Sequence, residues 1–219
     1  MTDRQLSDAP PPWRKMLTSR AVWAIIIAHF TENWGFYTLL TSLPMFLRDV
    51  LDYSLDTAGL LAAFPYILMA VVVQISGYLA DTIRADGKLS TTHIRKLFTC
   101  GAYLGQAFFM TLTALIMTRG TSITLLSLAL GLGGLTWAGF GVNHLDVAPR
   151  YAAILMGISN TVGTIPGIIC PSLTGAIVVE RSHEEWRTVF LITALVYALG
   201  ALFYGVLASG EKQVWNREQ

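Results

Sequence analysis

The apolar positions of this sequence neither alternate with polar ones nor fall into narrow helical stripes; they run together in long blocks. Six blocks, at 21–47, 58–80, 98–118, 121–142, 152–179 and 188–208, each exceed 20 residues. A bilayer core about 30 Å thick needs roughly 20 apolar residues per helix, so each block is long enough to span one. Five contain no Asp, Glu, Lys or Arg, and the first contains only Glu32. In hydrocarbon every backbone donor must be satisfied within its own segment, so each block is expected to be a helix. The pattern therefore predicts an all-α integral membrane protein: a leader at 1–20, a six-helix transmembrane bundle at 21–208 and a tail at 209–219. The first block follows a polar leader and is too long for the apolar core of a cleaved signal, so it is expected to remain in the mature chain.

Composition narrows the function classes. Of 219 residues, 53% are hydrophobic and 13% charged, with a mean hydropathy of +0.54; soluble domains carry about 25% charged residues. A soluble enzyme and a disordered tail are excluded. A net charge of +1 gives no electrostatic reason to expect nucleic acid as a partner. Cys100 and Cys170 lie in different apolar blocks at different depths and are expected to be free thiols. Eleven of the 15 basic residues fall in the leader (Arg4, Arg14, Lys15, Arg20), the second and fourth loops (Arg84, Lys88, Arg95, Lys96, Arg150) and the tail (Lys212, Arg217). The opposite loops hold only Arg48, Arg119, Arg181 and Arg187. By the positive-inside rule both termini are expected in the cytoplasm. The run Ala9-Pro10-Pro11-Pro12 before Trp13-Arg14-Lys15 reads either as an extended connector entering an interfacial anchor or as an ordinary tail.

Within the spans the polar residues carry the information. In the first block His29, Glu32, Asn33 and Tyr37 lie within an arc of about 140° at 100° per residue, so they share one face. Glu32 falls near the bilayer midplane, where an ionisable group must face protein or water unless it is neutral or paired. It reads either as a pathway group that binds substrate or carries a proton, or as part of a buried hydrogen-bond cluster. His29, three residues earlier, is its expected partner. The fourth block contains five glycines in Gly131-Leu-Gly133-Gly134-Leu-Thr-Trp137-Ala-Gly139-Phe-Gly141, which points either to an interrupted helix at a transport site or to close small-residue packing. Trp137 is either a stacking surface for a ligand or a packing anchor. The fifth block holds Ser159, Asn160 and Thr164 ahead of Pro166 and Pro171, each of which frees a carbonyl, and Gly163-x-x-x-Gly167 supplies a small packing face. Asn160 is expected to bond across helices or to a ligand. Asn143, His144 and Asp146 sit at the mouth of the fourth span; with no further ligands nearby, capping of a loop is preferred there to a metal site.

No Walker A sequence, H-E-x-x-H, G-x-S-x-G or intramembrane acid pair occurs, so neither an enzyme nor an ATP-driven pump is expected. The stretches His29-Phe-Thr-Glu32-Asn33-Trp-Gly-Phe-Tyr37-Thr-Leu-Leu-Thr41, Leu89-Ser-Thr-Thr92, Asn143-His144-Leu-Asp146-Val-Ala-Pro149, Gly157-Ile-Ser159-Asn160-Thr161 and Ser209-Gly-Glu211 together resemble the anion:cation symporter family of the major facilitator superfamily, which includes sialin, the vesicular glutamate transporters and sodium-dependent phosphate cotransporters.

The match is to the second half of that family's twelve-helix fold. It implies that the first and fourth spans are the seventh and tenth of a whole transporter and line its central cavity. It further implies secondary active transport of phosphate or an organic acid by alternating access, coupled to H+ or Na+ with no other cofactor, in a plasma, vesicular or lysosomal membrane. The small anion and an N-terminal six-helix half absent from this sequence are the expected partners, so the chain reads as a truncated product, splice form or fragment. Where the glutamate transporters of the family have a substrate-binding arginine in the seventh helix, this chain has Glu32, which points away from dicarboxylates. Asn160 resembles a substrate-contacting asparagine of the eleventh helix. Gly77-Tyr-Leu-Ala-Asp81-Thr-Ile-Arg84 resembles the superfamily's gating loop, without the basic residue directly after the aspartate; there the aspartate caps a helix of the opposite half. The alternative function is a non-transporting membrane fragment that binds or regulates a partner half.

Overall fold

The computed structural model describes residues 10–216. Arg4 and Ala9 of the leader and Arg217 of the tail lie outside the described residues. Among those described the chain is all helix: α1 (Trp13–Leu17), α2 (Arg20–Asp49), α3 (Leu55–Ala85), α4 (Thr91–Ile116), α5 (Arg119–Thr136), α6 (Phe140–Val147), α7 (Ala152–Gly163), α8 (Pro166–Ile177) and α9 (His183–Leu207), with short 3-10 turns at Pro149–Tyr151 and Val214–Asn216. The fourth and fifth apolar blocks are thus each broken in two, α5/α6 and α7/α8.

Counting each broken pair as one rod, five rods are long and apolar enough to cross a membrane. The sixth, α2, has the length, 30 residues or about 45 Å. Its apolarity is diluted by the polar residues at its middle, and its place in the bundle explains how it tolerates them. It is the central rod, packing against α3, α7, α8 and α9, with His29, Thr31 and Glu32 buried among neighbours. By contrast α3 displays Leu60, Phe64, Ile67, Val71 and Ile75; their helical spacing makes one continuous apolar face.

The helices outrun their apolar blocks because polar residues start them. Ser54 Oγ accepts from Thr57 N–H and Ser90 Oγ from His93 N–H, satisfying donors that the first turn leaves free. At α9, Ser182 and Glu185 form a reciprocal capping box, and Glu185 also accepts from the N–H groups of Val179 and Glu180. Ser182→Ala should lower the stability of the full chain by about 1 kcal/mol, read as a lower thermal unfolding midpoint in lipid nanodiscs; an unchanged midpoint would show that the cap contributes nothing.

The two ends of the described chain meet at one end of the bundle. Gln213 N–H donates to Val147 O over 2.9 Å, the Trp215 ring lies 6.2 Å from that of Tyr151, and Lys15 and Arg20 line a groove with Gln213 and Trp215. At the other end the arginines tie loops together. Arg119 donates to Leu51 O and Asp52 O, Arg187 to Ala114 O, and Arg48 and Arg181 both reach Asp49. Cys100 and Cys170 are free thiols, as expected.

Candidate functional site

The site is built at the two helix breaks. Pro166 starts a new helix and α8 runs on through Pro171; the Gly167 N–H turns to Thr164 O, and the Gly163 carbonyl is left without a helical donor. Asn33 Nδ2 of α2 supplies one over 2.6 Å. Gly163 itself permits the approach, since a side chain there would collide with the His29 ring and the Asn33 amide, and Gly167 sits against the Tyr37 ring in the same way. The small face of the fifth block therefore does pack, and what it packs on is the polar face of α2.

The α5–α6 break spans Trp137–Gly139. Its freed backbone groups are taken by α4: Thr99 Oγ1 accepts from Phe140 N–H over 2.9 Å, and Arg95 Nη1 donates to Ala138 O over 2.7 Å. Gly139 has Thr99 against its Cα, Gly131 has Leu68, and Gly134 lies against the α3 backbone at Met69 and Val73, where Ser76 Oγ also donates to Gly134 O. The glycine-rich block accordingly serves both purposes read from it, interruption and close packing. Trp137 stands at the break with its ring 6.2 Å from that of His29 and 5.8 Å from that of Phe140.

His29 and Glu32, three residues apart on α2, turn to different neighbours. His29 Nδ1 lies 3.2 Å from Ser159 Oγ, and that hydroxyl is 2.9 Å from His144 Nε2, giving a buried His–Ser–His bridge from α2 through α7 to α6. Glu32 instead accepts from Gln106 Nε2 of α4 over 3.2 Å, with Gly133 of α5 packed directly on its other oxygen. The expected His29–Glu32 pair is therefore absent. Residues three apart diverge by about 60° around a helix, enough here to send one side chain towards α7 and the other between α4 and α5. Glu32, 1% exposed, is enclosed within the bundle rather than set on an open surface.

Of the other residues singled out, Asn33 and Tyr37 are half-buried against α7 and α8, and Asn160 and Thr164 are exposed on the outer side of that rod. Thr164 Oγ1 donates back to Thr161 O. Gly77, Asp81 and Arg84 do not form a loop. They are exposed residues within the last turns of α3, because nothing in that sequence breaks a helix before Asp86 and Gly87, whose φ of 67° ends it. Asn143, His144 and Asp146 likewise lie within a helix, α6, and only Asn143 holds a loop carbonyl, that of Ser209. The two turns of α6 point them to several partners: His144 to Ser159, Asp146 to Arg95, and Asn143 to Ser209 O, the Tyr204 hydroxyl and Asp146 itself. Among the described residues no group of His, Cys, Asp and Glu is arranged to hold a metal ion.

Sequence reasoning missed Gln106 and Arg95. Gln106 carried a usable signal, a lone amide in the uncharged block 98–118, where a polar side chain needs a partner. Arg95 counted only as a basic residue of a loop, and nothing local marked it as the mate of Asp146.

A profile of the Major Facilitator Superfamily matches residues 2–171 of this sequence. Vesicular glutamate transporter 1 of Xenopus tropicalis is 47% identical over 204 residues, covering 93% of this chain and 35% of that transporter. Vesicular glutamate transporter 2 of Homo sapiens is 48% identical and transporter 2.2 of Danio rerio 46% identical over the same length. The chain thus spans 35% of the length of these relatives.

Proposed function

Since the chain belongs to the anion:cation symporter family of the major facilitator superfamily, we propose that it forms one six-helix half of a secondary active transporter for small anions, phosphate or an organic acid, coupled to a cation. The observation that carries this reading is the pair of broken rods packed on a polar central helix, with Asn33 and Tyr37 held where α2 meets α7–α8 and Asn160 and Thr164 exposed along that same rod. Discontinuous helices that line a polar seam build transporter binding sites.

The rods themselves bring no Lys or Arg to that region, for neither 21–47 nor 152–179 contains one. The counter-charge of a bound anion would then come from the opposing half, with this half supplying hydrogen bonds. A vesicular membrane, suggested by the named relatives, and cytoplasmic termini, suggested by the basic residues at the shared end of the bundle, complete the proposal.

Uptake of radiolabelled phosphate, glutamate and sialic acid into proteoliposomes, with this chain alone and with a co-expressed N-terminal half of a relative, tests it. Accumulation of one anion only when both halves are present is expected. Uptake by the chain alone would overturn the half-transporter reading, and no uptake of any anion by a demonstrably assembled pair would overturn transport.

A further inference from the structure

Two buried oxygens at the centre of the bundle have no hydrogen-bond partner among the described residues: Glu32 Oε1 and Gln106 Oε1. They belong to side chains already joined on their other side, where Gln106 Nε2 donates to Glu32 Oε2 over 3.2 Å. They also face the same residue, Gly133. A carbon built on Gly133 would press on Glu32 Oε1 and lie 3.4 Å from Gln106 Oε1. Both residues are enclosed, Gln106 completely and Glu32 to within 1%.

Leaving two acceptors unsatisfied in so dry a place costs several kcal/mol, and a bare carboxylate facing an amide oxygen is repulsive as well. Turning the amide over does not help, because one NH2 and one carbonyl cannot satisfy two carboxylate oxygens lying side by side. A single proton removes both defects. With hydrogen on Glu32 Oε1, that O–H donates to Gln106 Oε1 while Gln106 Nε2 donates to Glu32 Oε2, closing a cyclic acid–amide pair.

We propose that Glu32 and Gln106 form a proton-binding pair and that this pair is the coupling-ion site of the transporter half, the second clause resting on the transport reading above. The proton comes from water onto Glu32 Oε1 and returns to water, leaving a carboxylate; no other bond is made or broken. Since the pair is sealed, the return requires α2 to part from α4 or from α5 at Gly133, where no side chain stands between. Proton exchange is thereby tied to a movement of the helices.

The titratable groups packed around the pair are Tyr103 of α4, whose hydroxyl donates to Ala28 O, and Tyr197 of α9. Tyr66 of α3 lies beside the next turn of α2, at Phe36, and His29 on α2 faces Ser159 and, beyond it, His144. Thr136 of α5 stands beside the carboxyl but gives its own hydrogen to Gly133 O. Among the described residues no salt bridge includes Glu32, whereas the other enclosed carboxylates, Asp49 and Asp146, each face arginine.

Infrared difference spectroscopy of the full 219-residue chain in lipid nanodiscs, between neutral and alkaline buffer, tests the proposal. At neutral pH a protonated-carboxyl carbonyl band is expected, lost in Glu32→Gln and shifted in Gln106→Leu. Glu32→Gln should fold normally, because an amide–amide pair keeps both hydrogen bonds. Should that variant fail to fold, the Gln106→Leu shift of the wild-type band decides instead. Absence of the band from the wild-type chain, or a band insensitive to Gln106→Leu, would overturn the pair. So would a thermal midpoint raised by sodium over choline chloride and no longer raised in Glu32→Gln, since the two oxygens would then hold a metal cation. None of these readouts involves uptake, so failure of the proton site and failure of the transport reading are separable.

Discussion

Asp146→Asn is expected to destabilise the full chain by about 3–5 kcal/mol, the usual cost of removing one member of a buried ion pair. Arg95 and Asp146 have side chains only 9% and 8% exposed, with Arg95 Nε donating to Asp146 Oδ2 over 2.6 Å and Nη2 to Oδ1 over 3.2 Å. The guanidinium has a second task. Through Nη1 it holds the Ala138 carbonyl that the α5–α6 break sets free. An uncharged residue 146 would leave a buried cation bound to carbonyl dipoles alone and would loosen the break it stabilises. The Asn143 amide, which donates to both Asp146 and Ser209 O, would lose one of its acceptors. Arg95→Met with Asp146→Leu should recover only part of the loss: no unpaired charge remains, but the Ala138 carbonyl is left without its donor. Unfolding midpoints of the single and double variants in nanodiscs measure this. A single variant within about 0.5 kcal/mol of wild type, the range of an ordinary surface change, would show that the pair does not clamp α4 to α6.

The outline of this fold was legible because membrane burial is recorded residue by residue. A block without charge can be read as a span without knowing what it packs against, and α3 and α9 follow their blocks closely at 55–85 and 183–207. What failed to show were the relations fixed by packing between distant segments. The start of α4 at Thr91 lies well ahead of its apolar block, because Ser90 caps a polar first turn that the bundle carries beyond its apolar belt. The partner of Glu32 was sought along the helix at His29, yet the bond runs to Gln106, 74 residues away. Asp146 drew attention through its neighbours Asn143 and His144, while its mate Arg95 sat 51 residues earlier among residues that looked like loop. The glycines and prolines did announce breaks, but not which carbonyls would be freed or that Asn33, Thr99 and Arg95 would serve the broken backbone. Sequence periodicity places a polar residue on a face; the neighbouring helix decides what that residue becomes.

Glu32→Gln in the assembled transporter is expected to abolish proton-driven accumulation of the anion. For each coupled proton, one unit of pH difference supplies about 1.4 kcal/mol, a factor of about ten in the accumulation ratio. A variant that cannot release a proton forfeits that factor for every unit imposed. The substitution imitates the protonated acid in shape and in both hydrogen bonds to Gln106, so the bundle should assemble in normal amounts, and what is lost is the ability to cycle. Uptake by the variant should also stop responding to the external pH, since the group whose occupancy sets the response is gone. Initial rates and steady-state accumulation in proteoliposomes over a series of imposed pH gradients, normalised to folded protein, make the comparison. Unaltered accumulation across the series would reduce Glu32 to a packing residue of the α2–α4 seam and would place the coupling group in the other half of the molecule.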